Sequence, residues 1–169
     1  GWTFHNGEPV MAQSFVDAWN FGAYGPNAQG NSYFFGNIEG YDDLQPAEEG
    51  GEPAAETLAG LTAVDDTTIE VTLTEPFTQF PVTLGYTAFY PAPPQLQEDS
   101  DAFNEAPIGN GPYMMDGMWQ HDQAINTVKF EDFGGGEPGN ADAIEFRIYA
   151  DPNTAYNDLR GGALDVMDQ

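Results

Sequence analysis

Cysteine is absent from the 169 residues, which excludes disulfides, thiolate zinc sites, iron–sulfur clusters and a Cys nucleophile. Basic residues are almost absent. Lys129, Arg147 and Arg160 stand against 28 Asp and Glu, for a formal net charge of −25. Nucleic acid and anionic membrane surfaces are therefore excluded as partners, because both need clustered Lys and Arg. No apolar run approaches the roughly 18–20 residues of a membrane-spanning helix. No basic segment leads into an apolar stretch at the start, so a signal peptide is expected to be missing or removed. The chain opens mid-pattern at Gly1-Trp2-Thr3-Phe4 and stops at Val166-Met167-Asp168-Gln169 after a strand-like run, which suggests an excised piece. Serine is scarce too: Ser14, Ser32 and Ser100 are the only three, and none stands in a G-x-S-x-G setting.

What is present argues for folding. Hydrophobic residues make up 40% and aromatics 14%, too much apolar surface for a chain that stays disordered despite its charge. The carboxylates are scattered along the whole length, a pattern that fits a solvated, salt-tolerant surface better than one acidic face for cations.

Periodicity predicts a helix over 9–21, with Pro9 at its first position, Met11, Phe15 and Trp19 on one stripe, and Gly22 as its stop. Residues 22–53 read as short irregular segments docked by the aromatics Tyr33-Phe34-Phe35, with 48–53 as an exposed loop. One helical turn is expected over 54–59. A hairpin follows, Leu61–Val64 and Thr68–Leu73 around Asp65-Asp66. A short helix is expected at 77–84, then a Pro-rich connection over 91–107. Beyond Pro107, strands are expected at 123–130 and 144–148, and a helix after Asp151-Pro152 that ends at Gly161-Gly162. A last strand at 164–167 would complete a parallel βαβ crossover.

Several tempting motifs fail. Gly109-Asn110-Gly111-Pro112-Tyr113 lacks the third glycine of a dinucleotide loop, and Pro112 has no N–H to offer a phosphate. It reads instead as a structural crossing between two parts of the molecule, with Gly111 allowing an unusual backbone angle and Pro112 stiffening it. Asp99-Ser100-Asp101 begins like a calcium loop, but Asn104 and Asn110 stand where Gly and Glu are needed. His5 and His121 have no metal-ligand spacing and read as surface or hydrogen-bonded histidines. A carboxylate-pair hydrolase needs two acids facing across a groove, which sequence proximity cannot supply. The aromatics, Trp2, Trp19 and Tyr86 among them, read mostly as packing, with a ligand-gripping cleft as the functional alternative.

Four ordered blocks carry a resemblance. WTFHNGEPVMAQSFVDAW, LTAVDDTTIEVTLTEPF, PIGNGPYMMDGMWQHDQAINTVKFEDF and ADAIEFRIYADPNTAYNDLRGGALDVMD together resemble the peptide-type extracytoplasmic solute-binding proteins of ABC importers. Phe130-Glu131-Asp132-Phe133-Gly134 departs from that family's usual Asn-Pro-x-Tyr-Trp run. The resemblance implies a mixed α/β, or α+β, piece of a two-lobe periplasmic-binding-protein-like fold. Residues 1–107 would be a small extra subdomain, and 108–169 an incomplete return into the main lobe.

The resemblance also implies a receptor and not an enzyme. It would capture an oligopeptide between lobes outside the cytoplasm, in a periplasm or lipid-anchored at the outer membrane face, and deliver it to a membrane permease. No cofactor, metal, nucleic acid or membrane insertion is implied. Tyr33, Met167, Asp168 and Gln169 would face the ligand, while Gly109, Gly111, Pro112 and Tyr113 would be structural. Nickel complexes, haem and oligosaccharides are alternative cargoes of the same fold; outside it, a carboxylate-pair hydrolase and a purely structural module are the alternatives.

Overall fold

The computed structural model describes residues 1–168 except Glu49 and Pro138. The chain begins with a tight reversal in which Thr3 bridges Pro9, Phe4 N–H bonds to Glu8 O and Val10 N–H to Trp2 O. Gly7 turns the corner at φ +85°. Pro9 is therefore extended, and the first helix, α1, runs Ala12–Ala23 and not 9–21. Its start is closed by two neighbours. Ser14 Oγ accepts the Met11 N–H, and the Asp66 carbonyl accepts the Ala12 N–H, so the hairpin turn takes one of the helix's unpaired donors.

Gly22 is not a stop. It lies inside α1, where a Cβ would sit 2.8 Å from the Phe35 ring; the bare backbone is what lets that ring close on the helix. The inward face of α1 carries Ala12, Val16, Trp19 and Ala23. Three 3-10 turns follow, Gly25–Asn27, Ser32–Phe35 and Tyr41–Leu44, the short segments expected between 22 and 53; the second and third send Phe35 and Leu44 into the core with α1. Trp19 is the centre. It meets Phe35 and Phe89 at ring distances of 6.3 and 5.1 Å, and its indole N–H donates to Phe89 O at 2.9 Å. Ile38, Leu44, Leu58 and Leu61 complete the core. The turn expected at 54–59 does not form, because Leu58 is instead pinned by its N–H donating to the Asn20 side chain.

The hairpin is present as β1 (Leu61–Asp65) and β2 (Thr68–Val71), antiparallel with an irregularity at Ala63/Asp65. Leu73 leaves β2 to bridge Ile38. Asp65 closes the turn by accepting the Thr67 N–H and both the Thr67 and Thr68 hydroxyls. The Thr67 N–H, then those hydroxyls, hold its carboxyl below the usual carboxylate range. A depressed folded value means that this contribution is present above the unfolded value and is lost as pH falls through the folded one. Asp65→Asn is accordingly expected to lower the Tm at neutral pH, with the gap to the parent closing under acid. Thermal melts across that range check it, and a pH-independent gap would refute the assignment.

A short helix, α2, spans Phe80–Thr83. The expected Pro-rich connection instead holds α3 (Gln95–Glu98) and α4 (Ser100–Glu105). The calcium-like Asp99 is the cap of α4, accepting the Ala102 N–H at 3.0 Å. A three-stranded antiparallel sheet follows in the order β3 (Tyr113–Met115), β4 (Ala124–Lys129), β5 (Ala143–Arg147). Helix α5, Pro152–Gly161, is capped by Asp151 and ends with Gly162 left-handed at φ +76°, as the sequence predicts.

The parallel crossover is a correction. Residues 164–168 form no strand, and every strand pair among the described residues is antiparallel. A strand exists only by sharing backbone hydrogen bonds with a neighbour, and no described strand pairs with the second edge of β5. The register puts Ile125 opposite Phe146 and Asn126 opposite Glu145. One face of this pair carries Ile125, Thr127, Ile144 and Phe146, and the other Ala124, Asn126, Val128, Ala143, Glu145 and Arg147; Phe146 is 54% exposed.

Candidate functional site

The 3-10 turn at Ser32–Phe35 sorts its aromatics by direction. Ser32 Oγ donates to the Ala23 carbonyl and meets the Tyr41 hydroxyl at 3.1 Å, which fixes the turn on the end of α1. Phe35 then points into the core and is 1% exposed, whereas Tyr33 points out and is 66% exposed. Tyr33 does not stand alone. It stacks on Phe34 at 4.6 Å and 27°, and Phe34 in turn meets Tyr86 at 4.8 Å and 42°. Phe34 also touches the core ring of Phe89 at 6.2 Å. The result is a three-ring row rooted in the core, with Tyr33 and Tyr86 open to solvent. Phe34 and Tyr86 figure in the sequence only among the general aromatic supply; Phe34 adjoins Tyr33, whereas Tyr86 lies 53 positions from Tyr33.

The Gly109–Tyr113 segment is gripped by His5. The His5 backbone N–H donates to Gly109 O at 2.8 Å. Its Nδ1 accepts the Gly109 N–H at 3.2 Å, so Nε2 carries the proton and donates to Gly111 O at 3.0 Å. The ring edge rests on Phe130 at 4.9 Å. Gly111 does not use a left-handed angle, and a Cβ there would meet nothing within 4 Å; its carbonyl, and not its freedom, makes the contact. Pro112 O accepts the Phe130 N–H at 2.9 Å. Tyr113 starts β3, and its hydroxyl both donates to Ala141 O and accepts the Ala141 N–H. Of the two readings the sequence leaves for His5, surface or hydrogen-bonded, it is the hydrogen-bonded one.

Met167 is half-buried and Asp168 exposed; both follow α5, in a different part of the fold from Tyr33. Gln169 lies outside the described residues.

Two cavities flank these features. An apolar one of about 280 Å³ sits between Trp2, Met11, Phe15, Ile69 and Asn110. A polar one of about 380 Å³ lies on β4 and β5 beside α5, with Glu145, Arg147, Tyr149 and Asp158 in its wall. Its charged groups are committed to each other. The Arg147 guanidinium bonds Glu145, which raises it above its ordinary value, and also bonds Ala163 O. The Tyr149 hydroxyl donates to Asp158 at 2.9 Å. The two carboxylates therefore hold fold contacts and are not a free acid–base pair. His121 is paired with Glu105 and stacked on Trp119 at 4.1 Å. Among the described residues no cluster of metal-ligating side chains forms, and no helix is long and apolar enough to cross a membrane.

Comparison with known proteins gives a consistent set of relatives. The family profile for bacterial extracellular solute-binding proteins, family 5 Middle, matches residues 1–169. The dipeptide-binding protein DppE of Bacillus subtilis is 30% identical over 98% of this chain, which spans 30% of that protein. The substrate-binding domain of an oligopeptide ABC transporter from Bacillus anthracis superposes with a TM-score of 0.79 at 25% identity, over 96% of this chain and 31% of that one. Haemophilus influenzae OppA, solved with the peptide RPPGFSPFR, gives a TM-score of 0.81 at 23% identity, over 96% and 32%. The mixed helix-and-strand fold expected from the sequence is thus that of part of a solute-binding protein.

Proposed function

Since the chain belongs to the bacterial extracellular solute-binding proteins of family 5, we propose that it forms one part of an ABC importer's receptor, which captures oligopeptides between lobes and hands them to a membrane permease. It acts outside the cytoplasm, in a periplasm or tethered at the outer face of the cell membrane. The observation that carries this reading is the open aromatic row Tyr33–Phe34–Tyr86, held on a rigid core. Exposed rings fixed from below lose little freedom when a ligand covers them. In this reading residues 1–107 are the small subdomain, and 108–169 belong to the main lobe. Tyr33 approaches the ligand from the first, and Met167, Asp168 and Gln169 from the second. Gly109–Tyr113 with His5 forms the crossing between them.

A cleft receptor binds by burying most of its ligand between two walls. The chain spans about 30% of the length of the curated relatives it matches, so the second wall lies outside these residues. Calorimetry with short peptides is expected to show binding by the full-length receptor and little or none by residues 1–169 alone. Micromolar binding by residues 1–169 alone would overturn the two-wall reading, and silence from the full-length receptor would overturn peptide capture.

A further inference from the structure

Every Lys and Arg in the chain lies at position 129 or later, so residues 1–128 carry scattered carboxylates and no fixed cation from these side chains. The aromatic row belongs to that cation-free stretch. Tyr33 and Tyr86 are 66% and 56% exposed, and the Phe34 ring lies between them. The faces of such rings are electronegative and attract a guanidinium or ammonium group held over them. The nearest-sequence alternatives are weaker. An acidic ligand would meet carboxylates with no compensating cation, and a neutral ring would gain stacking but nothing from the surrounding charge.

Resting on the peptide-receptor reading, we infer that the ligand is a basic peptide that lays an Arg or Lys side chain on the exposed ring of Tyr33 or Tyr86, the two open ends of the row. Two separable forces act there. The field of the carboxylates is long-ranged and is screened out at high salt, where the Debye length falls to about 3 Å at 1 M. The contact of cation with ring face is short-ranged and survives that screening.

The test compares, on the full-length receptor, two peptides identical except for Arg or its neutral isostere citrulline, titrated by calorimetry at low salt and at about 1 M salt. The Arg peptide is expected to bind more tightly by about 3- to 30-fold at high salt, the range of a single ring-face contact, and by more at low salt. Replacing Tyr33 and Tyr86 together by Leu should bring the high-salt ratio close to one, while Tyr33→Phe, which keeps the ring face, should retain it. Equal binding of the two peptides would overturn the inference and leave the receptor reading standing. A ratio that survives both Leu substitutions would overturn it as well, by moving the cation elsewhere. Binding of neither peptide would overturn the receptor reading and this inference together.

Discussion

Trp19→Ala is expected to destabilise the chain by about 3 to 5 kcal/mol, the range for emptying a large aromatic site in a packed core. Trp19 is 4% exposed and lies within ring contact of Phe15, Phe35 and Phe89. The substitution also strips the Phe89 carbonyl of its donor, since the indole N–H is its partner, and a buried acceptor left unpaired adds to the loss. Domains of this size hold only about 5 to 15 kcal/mol in total, so the variant sits close to its unfolding threshold. Urea melts followed by circular dichroism measure it, with Trp19→Phe expected to recover part of the packing but not the hydrogen bond. A loss below about 1 kcal/mol, the scale of an ordinary surface change, would mean that Trp19 is not the centre of this core.

The same residue shows what the sequence could disclose. The four-residue spacing of Met11, Phe15 and Trp19 located the helix, because period and apolarity are local properties, but of that stripe only Trp19 belongs to the buried face, which runs through Ala12, Val16, Trp19 and Ala23. The partners were not local. Gly22 read as a stop because an isolated glycine after a helical run usually is one, yet its use is to admit the Phe35 ring from a separate turn. Asp99, ruled out as a calcium ligand by Asn104 and Asn110, is a helix cap, which any Asp before a short helix can be. Strand β3 was invisible: three residues after Gly-Pro carry no alternation, and only pairing with β4 makes them a strand. The reverse error fell at 164–167, where a strand-like composition finds no ladder partner among the described residues. At the candidate site the resemblance puts Tyr33 forward, whereas the aromatic row it belongs to needs Tyr86, brought in by tertiary packing. For Gly22, β3 and Tyr86 the missing information was contacts distant in sequence.

His5 makes contacts of the same kind, and its removal is the second large effect. One imidazole uses both ring nitrogens on the Gly109–Gly111 backbone, and its edge packs on Phe130. His5→Ala leaves the Gly109 N–H and the Gly111 carbonyl without these partners, at about 1 to 2 kcal/mol each, so a loss of about 2 to 4 kcal/mol is expected. The contacts span more than 100 positions in sequence, so they tie the N-terminal reversal to the segment that leads into β3. His5→Phe separates the two contributions: it keeps an aromatic edge for Phe130 and removes both hydrogen bonds. If hydrogen bonding is what matters, the Phe variant should lose most of what the Ala variant loses, and amide exchange at Gly109 should accelerate in both. Should His5→Phe match the parent in urea melts, packing alone would hold this junction, and the imidazole would be incidental to it. A junction held by hydrogen bonds keeps one geometry, because an imidazole satisfies two backbone groups only at one angle and distance. That fixed geometry is what the proposed receptor requires, since a cleft between two parts presents the same lining to each ligand only if the link between them does not drift.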